Sequence, residues 1–136
     1  MTPTQLRNMM IERNAKLSYT LPERQFNAYQ ESRGLNLVQD RRLPFDENGY
    51  HYDFQCDFLR ATDESYDVNF EIDGEEFHGS PIQLRKDAWK DKIKNAHGLK
   101  IIRIPAILTQ KRYWPYLDSE LPKALLSKEK VVRIKA

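Results

Sequence analysis

Tyr50-His51-Tyr52-Asp53-Phe54-Gln55-Cys56-Asp57-Phe58 and Val68-Asn69-Phe70-Glu71-Ile72-Asp73 decide the fold. Both stretches alternate apolar and polar residues with a period of two, the pattern of strands with one buried face. In the first, Tyr50, Tyr52, Phe54, Cys56 and Phe58 point one way, and His51, Asp53, Gln55 and Asp57 the other. In the second, Val68, Phe70 and Ile72 oppose Asn69, Glu71 and Asp73. A polar turn at Thr62–Ser65 joins them. Upstream, residues 35–42 read as a further strand, and Asp46–Gly49 as a turn. Asn48-Gly49 is the strongest hairpin signal in the chain.

Outside this meander the period becomes helical. Residues 3–15 are expected to form a helix, with Thr2 as cap, Pro3 in the first turn and an apolar stripe of Leu6, Met9 and Met10. A second helix starts near Thr20, has capping-box spacing to Glu23, and stops at Gly34. After a loop with Gly74, Gly79 and Pro81, residues 83–97 read as a helix with Leu84, Ala88 and Ile93 inward. Leu99–Ile104 is nearly all apolar, as a buried central strand should be. Residues 107–127 read as helix broken at Pro115 and Pro122, and Val131–Ile134 as an edge strand. The expectation is one α/β domain over residues 1–136. Its αβββαβ core, about residues 20–105, has a mixed central sheet flanked by helices. Residues 106–136 form a helical, basic extension.

The chain has 136 residues, 40% of them apolar, and a net charge of +2. That small total hides a strong order. Residues 1–60 hold eight basic and eight acidic side chains, residues 61–80 seven acidic and no Lys or Arg, and residues 81–136 fourteen basic and five acidic. An acidic block beside a cationic tail suits an enzyme that gathers carboxylates and attracts a polyanion. The single cysteine, Cys56, excludes an internal disulfide framework and a thiolate zinc cluster, and its place on an apolar strand face makes it core. No apolar run is long enough to span a membrane, and no leader pattern opens the chain, so a cytoplasmic location is expected.

Alternation brings Asp57, Glu71 and Asp73 to one face of neighbouring strands, which lie about 4.8 Å apart. Carboxylates so placed repel one another, and a hard divalent cation is the usual remedy. Mg²⁺, or Mn²⁺ in its place, could polarise a phosphodiester and activate water.

Phe70-Glu71-Ile72-Asp73-Gly74-Glu75-Glu76-Phe77-His78 resembles the active-site segment of very-short-patch-repair-like endonucleases, members of the PD-(D/E)xK (restriction-endonuclease-like) superfamily. Asp57-Phe58 resembles the "DF" that carries their metal-binding aspartate. Asp87, Lys90 and Gly98, followed by Leu99-Lys100-Ile101-Ile102-Arg103-Ile104, resemble their helix–strand segment. The ordered set Glu23, Asp57, His78, Asp87 is similar to the signature of EDxHD homing endonucleases. The resemblance covers about residues 20–105. It implies a Mg²⁺-dependent DNA endonuclease, a hydrolase whose nucleophile is a metal-bound water.

By that resemblance Asp57 holds the metal with Glu71 or Asp73. Asp53, also followed by Phe on the same face, competes with Asp57 for the role. Glu71-x-Asp73 stands where the superfamily has (D/E)xK, so the motif lysine is missing. His78 is the substitute expected to take the proton from water. Glu23 either caps its helix or positions metal or water. Asp87, read as a first-turn acid favoured by the helix dipole, is a candidate to orient His78. Lys86, Lys90 and Lys94 form an i, i+4 row for DNA phosphates, with Arg41 and Arg42 as further candidates. His51 and His97 read as surface residues; Trp89, Trp114 and Tyr113 read as core or as wedges into DNA, core being the commoner place for isolated aromatics. Specificity in so short a chain would come from loops, DNA shape, a homodimer or a partner protein. Two alternatives stand beside this reading: an inactive nucleic-acid-binding module of the same fold, and an RNA-directed nuclease.

Overall fold

The structure, a computed structural model, describes residues 2–6, 19–74 and 80–136. Residues 3–6 are helical, with Thr2 Oγ1 accepting from the Gln5 amide; the rest of the helix expected over 3–15 lies outside the described residues.

Helix α1 (Leu21–Ser32) starts as its capping box predicts. The Thr20 hydroxyl accepts from the Glu23 amide and donates to the Glu23 carboxylate. Gly34 follows in the left-handed region (φ 65°), where glycine carries no Cβ penalty. Strands β1 (Val38–Glu47), β2 (Tyr50–Ala61) and β3 (Tyr66–Asp73) form the antiparallel meander. β1 starts later and runs further than the pattern 35–42 suggested, because Asn36 is also left-handed (φ 56°) and pairing with β2 carries the strand through Pro44. Proline is tolerated there because β1 is an edge strand. The hairpin closes on Asn48-Gly49 alone, both with positive φ, while Asp46 and Glu47 remain in the strand.

Helix α2 (Pro81–Ala96) crosses over to β4 (Lys100–Pro105), parallel to β3. Two 3₁₀ turns, Ala106–Thr109 and Lys111–Tyr113, lead into α3 (Trp114–Leu126). Pro115 opens α3 instead of breaking it, since a first-turn residue needs no amide donor. Pro122 sits within the helix. β5 (Val131–Arg133) closes the sheet parallel to β4, giving the order β1-β2-β3-β4-β5. No described helix is long and apolar enough to cross a membrane.

The two faces of the sheet differ. On one, α1 and α3 seal an apolar core of Phe26, Tyr29, Phe58, Val68, Phe70, Ile102, Ile104, Leu117 and Leu121. On the other, Phe45, Phe54, Cys56, Leu59, Ile93, Leu99 and Ile101 pack together towards the hairpin. Phe58 therefore does not share a face with Phe54 and Cys56, as strict alternation required. The strand changes face at Asp57. The β1–β2 pairing omits the rung of Asp40 and Asp57, and Asp40 is left-handed (φ 59°). Such a local irregularity re-aims the side chains beyond it. Asp40 is held there by a hydrogen bond from Gln55.

Helix α2 also departs from expectation. Leu84 and Ala88 face solvent, and the residues turned inward are Gln83, Asp87, Lys90, Asp91, Ile93 and Lys94. The face they cover carries Asn69, Glu71, Asp73 and Arg103, so polar groups are what this contact requires.

Candidate active site

The β2–β3 ladder ends at the Phe58–Phe70 rung. Beyond it the strands part, and the Asp57 carboxylate enters the gap and accepts from the Ile72 amide at 2.9 Å. This takes up an amide that the ladder no longer serves. It also brings the Asp57 carboxyl into hydrogen-bonding contact with that of Glu71. Burial pushes the Asp57 pKa up to about 9, aided by the charge and hydrogen bond of Glu71 and, further off, the charge of Glu23; the Ile72 amide works the other way. Two carboxyl groups this close hold a proton between them or a cation.

Lys94 reaches the same place from α2. Its ammonium, with the residue only 2% exposed, donates to Asn69 Oδ1 (2.8 Å), Glu71 Oε1 (2.8 Å) and the Gln55 carbonyl (3.1 Å). All three of its donors are thereby used. Lys94 thus leaves the surface row expected for it, because a buried Glu71 and Asn69 need a donor. A lysine does stand beside Glu71, brought by the helix and not by the strand motif.

Asp73 takes a different partner. Arg103 on β4 donates to Asp73 at 2.7 Å and forks onto Asp91 of α2 at 2.9 and 2.7 Å. Arg133 on β5 lies 3.8 Å from Asp73. Burial disfavours the Arg103 charge, but Asp91 and Asp73 more than offset it and hold the guanidinium protonated. The acidic face is therefore a buried network in which Glu71, Asp73 and Asp91 each have a cation.

An open cavity of about 210 Å³ lies over this network. Asp57, Glu71 and Asp73 line its floor, and Asp87, Lys90 and Lys94 its helical wall. Asp87 is in the second turn of α2, since the helix starts at Pro81, so the dipole account of it fails; Gln83 Nε2 donates to it at 3.0 Å. A larger cavity, about 670 Å³, abuts the first at Ile72 and Gly74 and is bordered by Glu23. Asp57 and not Asp53 reaches this floor. Asp53 stays near the hairpin tip, 3.3 Å from His51, whose pKa is raised chiefly by its hydrogen bond to the Asp46 carboxylate. Arg41 and Arg42 are exposed on β1, where Arg42 donates to the Asp53 carbonyl. Lys86 is exposed on α2, and His78 lies outside the described residues.

Asp91, Gln83 and the partnering role of Arg103 were not picked out from sequence. The available signal was the spacing of Gln83, Asp87, Lys90, Asp91 and Lys94, which repeats at helical intervals where an apolar stripe was sought.

Among the described residues, no group of three or more His, Cys, Asp or Glu side chains is set to hold a metal ion. The Asp57–Glu71 pair nevertheless has the donor chemistry of a Mg²⁺ site, because that ion is commonly held by one or two carboxylates and keeps water and phosphate oxygens as its other ligands.

Comparison of the chain with family models, curated proteins and solved structures gives no significant match.

Proposed function

We propose that this chain is a metal-dependent DNA endonuclease with a restriction-endonuclease-like core of the PD-(D/E)xK type. The observation that carries the reading is the contact between the Asp57 and Glu71 carboxyls at the floor of an open cavity, with Lys94 bonded to Glu71. A divalent ion held there would supply Lewis-acid polarisation of the phosphodiester and a lowered pKa for water. Asp57 and Glu71 would be its ligands, and the Ile72 amide fixes the Asp57 carboxyl for that task. Lys94 orients Glu71 and keeps a positive charge beside the reacting phosphate. Lys90, at the cavity wall, is the residue assigned to hold phosphate, and His78 the residue assigned to take the proton from water. Asp73, tied to Arg103, braces the floor.

The test is nicking of supercoiled plasmid with Mg²⁺ or Mn²⁺ against EDTA. Asp57→Ala and Glu71→Gln should each abolish metal-dependent nicking, and His78→Ala should slow it about a hundred-fold or more. Undiminished nicking in both carboxylate variants would sink the assignment. A second reading, a binding module without chemistry, is favoured by one observation: Glu71 and Asp73 already have internal cations in Lys94 and Arg103. Binding of duplex, mismatched, branched and single-stranded DNA without cleavage of any of them would select it.

A further inference from the structure

Beside the acidic cavity, the hairpin carries a ladder of rings. Tyr50, Tyr52 and Phe54 occupy alternate positions of β2 and stack near-parallel, with centroids 6.3 and 5.6 Å apart. Trp89 of α2 stands edge-on to Tyr52 and Phe54, at 5.0 and 5.4 Å. The inner end is closed, since Phe54 is core. The outer end is open: Tyr50 is 67% exposed and Trp89 44%. Lys86 lies on the same outer side of α2, and the Lys90 ammonium sits 5.9 Å from the Phe54 ring while lining the acidic cavity. One side chain thus joins the ladder to the proposed reaction centre.

We infer that the Tyr50–Tyr52–Trp89 surface is a stacking platform for unpaired bases of the nucleic-acid strand whose phosphate enters the cavity. This deepens the nuclease reading and rests on it for the direction of the strand. Flat exposed rings interleaved with lysines match single-stranded nucleic acid, because every base offers a face to a ring and every phosphate a charge to an ammonium. A protein partner fits less well, since the cores of protein interfaces are depleted of lysine. An intact duplex fits less well, since its base faces are covered by their neighbours and unstacking them costs free energy. Asp57 lies seven residues from Tyr50 along β2, about 23 Å. The stacked bases therefore belong to nucleotides some distance from the cut, and the preferred substrate joins an unpaired segment to the scissile strand.

The test is fluorescence anisotropy with a fluorescein-labelled oligothymidylate and a labelled hairpin duplex, both in EDTA so that cleavage plays no part. Wild type should bind the single strand more tightly than the duplex. Tyr50→Ala and Trp89→Ala should weaken single-strand binding about five-fold or more, as for loss of one base–ring stack, and leave duplex binding unchanged. Tyr50 is exposed enough that its variant folds even where Trp89→Ala does not, and thermal melting checks both. Unchanged single-strand binding in Tyr50→Ala would overturn the inference, as would equal loss for both probes or capture of neither by wild type. Plasmid nicking is read separately. Nicking with an unaltered Tyr50→Ala refutes the platform alone. An altered Tyr50→Ala without any nicking refutes the nuclease alone.

Discussion

The two faces of the sheet share the same strands and do opposite things. The face under α1 and α3 buries Phe26, Phe58, Phe70, Ile102 and Leu117 with no charge among them. The face under α2 buries an apolar cluster only towards the hairpin and, beside it, Asn69, Glu71, Asp91, Lys94 and Arg103. Apolar burial contributes roughly 1.5–3 kcal/mol per large side chain. A buried ion pair contributes little over an apolar pair, because desolvation of both partners offsets their attraction. The charged face is thus an inefficient way to stabilise a small domain and an effective way to fix carboxylates in place. The larger apolar core lies on the α1/α3 side, and the proposed chemistry draws on the charged part of the α2 side.

The contrast is open to direct attack. Phe58→Ala, at the centre of the apolar face, should cost about 3–5 kcal/mol in urea unfolding. It should leave nicking per folded molecule within a few-fold of wild type; abolished nicking in protein shown to be folded would break the division of labour. Next in size is Lys94→Met, which leaves the Glu71 carboxylate and Asn69 without their donor and should cost about 3 kcal/mol. Adding Glu71→Gln should restore much of that loss but not activity. Additive losses in that double variant would mean that Lys94 and Glu71 do not act as a pair.

Asp57→Asn should go the other way. The folded-state pKa of about 9 lies above the unfolded value of about 3.9. The folded protein keeps a proton that the unfolded chain has lost, so metal-free stability falls as pH rises from about 4 to about 9. Asparagine keeps an acceptor for the Ile72 amide and removes the titration. Asp57→Asn should therefore be more stable than wild type at pH 8 in EDTA, by about 1 kcal/mol or more, and flatter across that window. A lower melting temperature at pH 8 would contradict this. The smallest effect belongs to a polar pair at the rim of the apolar face. Arg33 donates to Asp118 at 2.9 Å through both Nε and Nη2, and Tyr29 donates to it at 2.7 Å. These bonds, that of Arg33 foremost, hold Asp118 below the usual carboxylate range, so its contribution is present at neutral pH and lost as pH falls through its folded pKa. Asp118→Asn should lower the melting temperature slightly at pH 7 and not in strong acid.

The order of elements was legible because the strands of the meander alternate over most of their length, and Thr20, Asn48-Gly49 and Gly98 mark the start of α1, the β1–β2 turn and the end of α2. The approach of Asp57 to Glu71 was legible for the same reason, as both lie on the polar side of adjacent strands. The change of face at Asp57 was not, since a left-handed Asp40 depends on pairing with a distant strand. Nor was the interior of α2. Sequence reading sought its buried face among Leu84, Ala88 and Ile93, and a helix that buries Asp91 and Lys94 follows that rule only after the charges it meets are known. The same blindness placed Lys94 on a phosphate-binding row. Its position beside Glu71 is a tertiary fact, reached across 23 residues by way of a crossover helix.

The most direct measurement is a crystal structure of the protein soaked in Mn²⁺, with anomalous scattering to locate the ion. The account predicts one peak within bonding distance of both Asp57 and Glu71, with Lys94 still on Glu71. Mn²⁺ bound elsewhere, with the Asp57 and Glu71 carboxyls still in mutual contact, would contradict it.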